Sequence, residues 1–466
     1  MKKDSMMMPV ALLISDIVAL CSGGILSVWM RYILEGQFSF AFYGQLWPLI
    51  FLFLFVYSLA GLYPGILHSP PEELKRASQA TSFCFVLLAV IVFLFKGSDL
   101  YSRGIFFLAW ISFLILIPVF RAATRSVYAH CAWWGYPTVI FGAGVTGSVV
   151  VNTLLLRPRL GVRPLAIVDD DPAKQGQYLK GIPVVGGLEM ALELSKEWKN
   201  ALAILAMPGL RPEKIKAIIE DNCQYFRRII LVPDLFGFSS LWVNAIDFGG
   251  ILGLDVVQKL IDPKRQAFKR YFDLVFICIS LPVLVPLFLL LALAVSVDSR
   301  GPVFFKHKRI GMGGKEFFVW KFRTMIQDAD KVLATYLTEN PDLREEWEQT
   351  QKLQHDPRIT RLGRILRKTS LDELPQLWNV IKGELSLVGP RPIVQDEVEK
   401  YQEAFSLYKK VRPGITGLWQ VSGRSDTSYD QRVNLDTYYV RNWSIWFDIY
   451  ILALTPRAVL SGHGAC

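Results

Sequence analysis

Two adjacent carboxylates are the residues of this sequence with the clearest potential for chemistry. They are Asp372 and Glu373, and the apolar spacing that follows them predicts a helix ending at Gly383. If Asp372 is the N-cap, Pro375 falls in the first turn, where its missing N–H breaks no hydrogen bond. The positive helix end would then keep both carboxylates ionised. One could attack phosphorus while its neighbour holds Mg²⁺. Ser370 and Glu373 also have capping-box spacing, so a purely structural role stays open.

Basic residues surround the carboxylate pair, and several of them stand in rigid Pro/Gly turns. They are Lys321, Arg323, Arg358, Arg361, Arg364, Arg367, Lys368, Arg391 and Arg412. A charge run is usually a solvated face. Diphosphate chemistry, however, requires fixed positive charge, because negative charge develops on the phosphate oxygens. The pattern therefore favours phosphate binding near the pair.

A glycine-rich turn marks a second candidate site. Gly142, Gly144 and Gly147 form a GxGxxG pattern between a predicted strand and a helix, and Asp169 and Asp170 end the next strand. Such glycines allow a pyrophosphate to approach a helix N-terminus, with the acid on the ribose. They can equally serve close packing of strand on helix. Nucleotide binding and packing are both open interpretations.

Strands alternate with helices around this turn. The predicted strands begin at Pro137, Pro164, Ile182, Leu202 and Ile229. This alternation predicts a Rossmann-like parallel α/β domain over residues 135–256.

The composition indicates a membrane protein. Apolar residues make up 52% of the 466 residues and charged residues 20%, with a net charge of +10. The charge fits anionic lipid or phosphorylated substrates better than nucleic acid. Six scattered cysteines without a CxxC pair predict neither a disulfide framework nor a zinc site. A four-helix transmembrane bundle over residues 1–130 is predicted from the apolar runs Pro9–Leu34, Gln45–Leu67, Ser78–Phe95 and Gly104–Val119.

Basic residues flanking these runs predict that both ends of the bundle are cytoplasmic. Six of them lie at the ends and in the loop expected inside: Lys2, Lys3, Lys75, Arg76, Arg121 and Arg125. The opposite loops carry Arg31, Lys96 and Arg103. Asp16 lies within the first run, where a carboxylate is costly, and is expected to pair with Arg31 or Arg121.

A fifth apolar run, Tyr271–Val297, opens the third predicted domain, residues 262–466. It contains Pro282 and Pro286 near its middle. A full crossing would place the charged remainder of the chain outside, away from soluble phosphorylated substrates. We therefore predict a re-entrant helix over residues 269–297 that returns to the cytoplasmic side, followed by a mixed, mainly α domain.

From about Lys269 onwards the chain resembles the bacterial sugar transferase family, the monotopic phosphoglycosyl transferases. The matching stretches are Phe304–Gly311, Trp320–Met325, Asp356–Thr360, Thr369–Gln376, Leu387–Pro392 and Arg412–Arg424. The four spans and α/β domain ahead of them resemble the large members, which act on polyprenyl phosphate. The residues after Gly-Pro-Arg391-Pro are most similar to the galactose phosphotransferase type. The family's Ser-Pro break is replaced here by Val285-Pro286, so the kink departs from the family pattern.

The resemblance implies a covalent, two-step reaction. Asp372 would attack the sugar-linked phosphorus of a UDP-hexose, release UMP and pass the phosphosugar to undecaprenyl phosphate. Glu373 would help Asp372 to hold Mg²⁺. The family's substrate-binding positions fall on Lys321, Arg323, Arg367, Arg391, Arg424 and Asp436, the last without an assignable role.

The resemblance also implies a cellular setting. It is the cytoplasmic face of the bacterial inner membrane, at the first membrane step of O-antigen, capsule or exopolysaccharide synthesis. A homodimer is one expectation, because the large members are thought to dimerise.

Four alternatives stay open at this point. The same reaction could use UDP-glucose instead of UDP-galactose. A membrane nucleotide-sugar dehydratase is disfavoured, because Tyr136, Tyr178 and Tyr225 all lack a lysine four residues on. A non-enzymatic nucleotide-sugar sensor would leave Asp372, Glu373 and the arginines without a role. A transporter is hardly supported by short spans with one buried acid.

Overall fold

The computed structural model of the chain consists of two compact units, residues 1–236 and 237–466. It describes residues 7–35, 40–94, 101–198, 200–226, 228–233, 243–247, 252–256, 260, 262–340, 356–423 and 428–460. Within these ranges, four helices are long and apolar enough to cross a membrane. Three belong to the first unit and one to the second.

The first unit begins with helices of the predicted bundle. They are α1 (Met7–Glu35), α2 (Phe40–Gly44), α3 (Leu49–Leu59), α4 (Pro70–Leu94) and α5 (Arg103–Tyr128). The second predicted span differs from expectation, because α3 is only about 16 Å long at 1.5 Å per residue. Pro48 immediately precedes its first turn, and Gly61 takes a left-handed conformation just after its end. These two residues limit the helix.

A buried ion cluster joins three of these helices. The Arg121 guanidinium on α5 lies 3.4 Å from Asp16 on α1 and 3.4 Å from Glu73 on α4. Arg125 binds the same Glu73 at 2.8 Å. The predicted pairing of Asp16 with Arg121 is therefore confirmed. Arg125 also donates to the backbone oxygen of Arg159, so the cluster connects the bundle to the α/β part of the same unit.

The α/β part is a six-stranded sheet in the order β3-β4-β2-β1-β5-β6. Its strands are β1 (Tyr136–Phe141), β2 (Val162–Val168), β3 (Tyr178–Leu179), β4 (Ile182–Gly186), β5 (Leu202–Leu205) and β6 (Arg228–Leu231). Helices α6 (Val145–Leu156), α7 (Met190–Glu197) and α8 (Pro212–Ile218) connect them. Every strand pair is parallel except β3 with β4. The predicted Rossmann-like arrangement is confirmed, and apolar residues from successive strands form its core.

A separate hairpin follows the sheet. Strands β7 (Val243–Asp247) and β8 (Leu252–Val256) pair with each other in a sheet of their own. They belong to the second compact unit, although the predicted α/β domain extended to residue 256. The α/β sheet ends with β6, because the hairpin pairs with none of its strands.

The second unit begins with α9 (Pro263–Asp298), which continues through Pro282 and Pro286. After it come β9 (Phe304–Ile310), β10 (Glu316–Phe322), α10 (Ala329–Glu339), α11 (Arg361–Lys368), α12 (Gln376–Lys382), β11 (Ser386–Val388), α13 (Val398–Tyr401), α14 (Ala404–Tyr408), β12 (Gly414–Thr416), α15 (Leu418–Ser422), α16 (Tyr429–Asn442) and α17 (Ile445–Leu460). Helices dominate, as predicted, and two short two-stranded sheets, β9–β10 and β11–β12, lie among them.

Both ends of α9 pack on the same globular part of this unit. Near its start, Lys269 pairs with Asp448 on α17 at 2.6 Å, and Asp273 accepts a hydrogen bond from Ser386 on β11. Near its end, Leu291 packs in a cluster with Leu366 on α11. The residues between these contacts are apolar and largely exposed. The helix thus contacts the rest of the unit near both of its ends, and its apolar middle is exposed.

Candidate active site

The predicted carboxylate pair lies in a 3-10 turn, Leu371–Glu373, between α11 and α12. The prediction that Asp372 is a helix N-cap is wrong, because α12 begins only at Gln376, directly after Pro375. The capping box is also not formed, since Ser370 has a left-handed backbone and its side chain caps nothing. The predicted helix end at Gly383 is confirmed by its left-handed conformation. The pair therefore stands on a tight turn ahead of the helix.

Burial affects the charge of Asp372. Asp372 is only 8% exposed, and this burial raises its pKa to about 6. The Lys321 and Arg367 charges oppose the rise, whereas the neighbouring Glu373 charge adds to it. The expected stabilisation by a helix end is absent, because α12 begins beyond the pair. At neutral pH, Asp372 remains mostly ionised.

Lys321 is the cation closest to both carboxylates among the ion pairs of the described residues. Its Nζ lies 2.7 Å from Glu373 Oε1 and 3.7 Å from Asp372 Oδ2. Arg367, at the end of α11, contributes its charge to Asp372 and donates through Nε to Thr324 Oγ1 at 2.9 Å. The structure thus brings together four of the predicted residues: Asp372, Glu373, Lys321 and Arg367.

Asn379 connects the strand that carries Lys321 to the helix that follows the carboxylates. Its side chain is completely buried on α12. Oδ1 accepts the Trp320 N–H at 3.1 Å, and Nδ2 donates to Phe318 O at 2.7 Å and to Glu384 Oε2 at 2.6 Å. One side chain therefore provides hydrogen-bond partners for backbone groups at the edge of β10, next to Lys321. Asn379 stands in the stretch that follows the carboxylates, but no local sequence pattern marks it as a positioning residue.

We predict that Asn379→Asp lowers both stability and turnover. The new carboxylate cannot donate to Phe318 O and faces Glu384, so unfolding should become easier by about 2–4 kcal/mol, the cost of unpaired buried polar groups. Loosening of β10 should lower kcat more than it raises KM, because Lys321 loses its fixed position. Thermal unfolding and steady-state kinetics well below the unfolding temperature measure the two effects.

A double variant supplies the control. Adding Glu384→Gln to Asn379→Asp removes the facing negative charge and should recover part of the stability. A kcat equal to that of the parent in Asn379→Asp would contradict the positioning role.

Several predicted phosphate-binding residues serve other contacts. The Arg323 guanidinium donates to Ser299 O, Ser299 Oγ and Pro302 O just beyond α9. Arg412 donates to Gly383 O at 2.9 Å and so caps the end of α12. Arg358 pairs with Asp356 at 2.7 Å. These contacts give the three guanidinium groups structural roles in the second unit. Substrate binding by Arg323 stays a prediction.

Comparisons with known proteins show which family the chain belongs to. Residues 264–462 match the family described as bacterial sugar transferase, and residues 58–233 match the family described as CoA-binding domain. Undecaprenyl-phosphate galactose phosphotransferase of Salmonella typhimurium is 37% identical over 368 residues, which cover 78% of this chain and 76% of the relative. The chain belongs to the bacterial sugar transferase family.

Other relatives of this sugar transferase differ in named sugar and in coverage. UDP-glucose:undecaprenyl-phosphate glucose-1-phosphate transferase of Escherichia coli is 32% identical and covers 74% of each chain. The exopolysaccharide production protein ExoY of Rhizobium meliloti is 51% identical over 197 residues, which are 42% of this chain and 87% of that protein. With its long apolar helices, this sugar transferase is a membrane protein.

Asp436 of this sugar transferase is a buried support for the site. Its Oδ2 accepts a hydrogen bond from the Tyr401 hydroxyl at 2.7 Å, and the nearby backbone N–H and charge of Arg391 favour its ionised form. Burial raises its pKa to about 6. These contacts indicate that Asp436 positions the loop of Arg391. Arg424, also predicted to bind substrate, lies outside the described residues.

The glycine-rich turn of the α/β part is closely packed. Gly142 takes a left-handed backbone, and a Cβ on Gly147 would lie 2.0 Å from Gly142 O. Asp169, predicted as a ribose-binding acid, accepts the Ala143 N–H at 2.7 Å and the Asp171 N–H at 2.9 Å. These bonds lower its pKa despite burial. The contacts favour the packing interpretation, although Gly144 faces open space. Nucleotide binding here stays a prediction.

Proposed function

We propose that this chain transfers hexose-1-phosphate from a UDP-hexose to undecaprenyl phosphate and releases UMP. The observation that carries the proposal is the buried, ionisable Asp372 with Lys321 and Arg367 beside it, in a chain of the sugar transferase family. The names of the relatives from Salmonella typhimurium and Escherichia coli support the donor and acceptor classes.

In the first step, an Oδ atom of Asp372 attacks the sugar-linked phosphorus. A P–O bond to the carboxylate forms, the bond from this phosphorus to the bridging oxygen breaks, and its electron pair leaves with UMP. The ammonium group of Lys321 and the guanidinium of Arg367 offset the charge developing on the phosphate oxygens. Partial burial of the nucleophile strengthens these interactions, because less water screens them.

In the second step, a phosphate oxygen of undecaprenyl phosphate attacks the same phosphorus. The Asp372–phosphorus bond breaks, the carboxylate is regenerated, and an undecaprenyl diphosphate-hexose is formed. Both attacks use one carboxylate, so one set of cations serves both transition states.

The carboxylate pair also fits a magnesium ion. Mg²⁺ usually binds one or two carboxylates together with substrate phosphates, and Asp372 and Glu373 offer two. No group of three or more metal-ligating side chains occurs in the part of the chain that the structure describes, which agrees with a site completed by substrate. Bound Mg²⁺ would supply Lewis-acid polarisation of the phosphoryl oxygens.

Removal of magnesium should therefore abolish UMP release. We expect a loss of about 100-fold or more with EDTA, restored by added Mg²⁺ but not by Na⁺ of equal ionic strength. The measurement is the initial rate of UMP formation. An undiminished rate in excess EDTA would contradict the magnesium proposal and leave the nucleophile in place.

The membrane course of α9 follows from its anchors. Lys269 near its start and Leu291 towards its end both pack on one globular part, so we propose that both ends lie on one side of the membrane. The exposed apolar middle would enter the bilayer and return, with the bend at Pro282 and Pro286. Because UDP-hexoses are cytoplasmic, this side is proposed to be the cytoplasmic face. Cysteine labelling of both ends from one side of sealed vesicles tests this course.

For the sugar we propose galactose. The relatives from Salmonella typhimurium and Erwinia amylovora are named for galactose and are 37% and 36% identical, whereas the glucose transferase of Escherichia coli is 32% identical. We propose that the reaction is the first membrane step of surface polysaccharide synthesis. The name of the Rhizobium relative supports a link to exopolysaccharide production. Homodimer formation stays a prediction, which native mass spectrometry in detergent would check.

The deciding experiment measures UMP release by the full chain in nanodiscs with magnesium and undecaprenyl phosphate. UDP-galactose and UDP-glucose are compared as donors. Lipid-dependent release with UDP-galactose supports the proposal. A preference for UDP-glucose would change the proposed sugar from galactose to glucose and leave the proposed reaction unchanged. If no UDP-hexose yields UMP, the proposed function is wrong.

A further inference from the structure

Two arginines that the proposed mechanism does not use lie beside Arg391. Arg309 stands on β9 and Arg432 on α16. The Ile310 N–H donates to Ile393 O at 2.9 Å, which holds the strand of Arg309 against the loop of Arg391. The chain thus brings three guanidinium groups together from positions far apart in the sequence.

The three groups converge on one small region. The guanidinium carbon of Arg391 lies 5.2 Å from the centre of the Trp419 ring, and that of Arg432 lies 5.0 Å from it. Burial lowers the pKa of Arg309, and the neighbouring charges of Arg391 and Arg432 lower it further. The Glu373 charge acts on both Arg309 and Arg391, so both guanidinium groups lie within electrostatic range of the carboxylate pair.

The hydrogen-bonding capacity of Arg432 is largely unused. The side chain is 6% exposed, and one Nη donates to Glu397 at 3.0 Å. Its Nε and its other Nη, as well as the nearby buried hydroxyl of Tyr429, have no hydrogen-bond partner among the residues that the structure describes. A buried charged donor without an acceptor is costly, so these groups indicate a further acceptor beyond the described residues, which a bound ligand can supply.

The local carboxylates do not fill this role. Glu373 already binds Lys321 at 2.7 Å, and Asp436 Oδ2 accepts from Tyr401. Asp436 Oδ1 is itself without a hydrogen-bond partner among the described residues and does not reach the free nitrogens of Arg432. Glu397 accepts from one nitrogen of Arg432 and from the Val394 N–H. The free donors of the cluster therefore suit an additional anion with several oxygens.

We propose that Arg309, Arg391 and Arg432 form a subsite for a phosphate monoester next to Glu373. Guanidinium groups bind phosphate through paired N–H donors, and three of them can surround one dianion. The inference rests on the proposed function, in which a group of this chemistry leaves as the phosphate of UMP. The phosphate of the entering lipid has the same chemistry, so the experiment has an arm for each.

The first arm measures UMP binding to the full chain in nanodiscs by titration calorimetry. Arg309→Gln is the main variant, because the one side-chain hydrogen bond of Arg309 in the described residues joins it to the exposed His307 at 3.3 Å. We expect UMP binding to weaken about 10-fold to 100-fold, while uridine, which has no phosphate, binds as to the parent. Arg432→Lys, which keeps the charge opposite Glu397, should weaken UMP binding in the same direction.

Lys400→Gln is the matched control. Lys400 is an exposed cation 5.3 Å from the centre of the Tyr429 ring, so this variant removes one positive charge at the edge of the cluster without removing a guanidinium. Its UMP affinity should stay within about twofold of the parent, because exposed charges are screened.

The second arm measures the KM for undecaprenyl phosphate in the same variants. Weaker UMP binding with an unchanged lipid KM assigns the subsite to the nucleotide, and the reverse result assigns it to the lipid. If Arg309→Gln and Arg432→Lys change neither quantity, the subsite does not exist, although UMP release by the parent would still uphold the proposed function. Failure of the parent to release UMP from any UDP-hexose would instead remove the proposed function itself.

Discussion

Replacing Asp372 by asparagine is expected to reduce UMP release by about 10⁴-fold or more, because the amide cannot form the phosphosugar bond. The substitution preserves the shape of a side chain whose residue is only 8% exposed. It also removes a buried negative charge, so the variant should fold at least as well as the parent. The loss is therefore expected in chemistry and not in stability. The UMP formation rate and the thermal unfolding temperature, measured on the same preparation, separate the two.

A capture experiment makes this prediction sharper. With radiolabelled UDP-hexose and no lipid acceptor, the parent should retain label after denaturation, and Asp372→Asn should retain none. Asp396→Asn is a suitable control, because Asp396 is an exposed carboxylate of the same unit and should leave labelling unchanged. Parent-like UMP release by Asp372→Asn would show that another group carries the phosphosugar or that transfer is direct.

Replacing Arg121 by methionine is expected to destabilise the first unit by about 3–5 kcal/mol. Arg121 is 1% exposed and lies between the carboxylates of Asp16 and Glu73. It also donates to Leu62 O at 2.9 Å. Methionine fills similar volume but leaves two buried negative charges without this partner. A lower unfolding temperature in detergent and a lower yield of monodisperse protein are the measurements.

Two comparisons test the cause of that loss. Arg103→Met removes an exposed arginine at the first residue of the same helix and should leave the unfolding temperature unchanged. Combining Arg121→Met with Asp16→Asn and Glu73→Gln removes the uncompensated charges and should recover much of the stability. An unfolding temperature of Arg121→Met equal to that of the parent would contradict a stabilising role for the ion cluster.

Local sequence patterns determined much of this protein. The long apolar runs, the alternation of strands and helices around Gly142, and the end of α12 at Gly383 follow from periodicity and from turn residues. These features depend on residues only a few positions apart in the sequence, so local sequence patterns predict them. The carboxylate pair and the basic motifs around it could also be identified from the sequence. Their family resemblance agrees with the match over residues 264–462.

Tertiary structure alone decided how those residues act. Lys321 reaches Glu373 across 52 positions of sequence, and Arg270 on the membrane helix reaches the end of α12 across 111. No local pattern predicts that Arg323 donates to backbone oxygens just beyond α9, whereas Lys321, two residues earlier, binds Glu373. The pKa of Asp372 is a further example, because burial raises it, whereas the helix end that was expected to lower it begins only beyond the pair. Pairing, burial and charge are properties of the folded neighbourhood, and they become visible only when segments far apart in the chain are packed together.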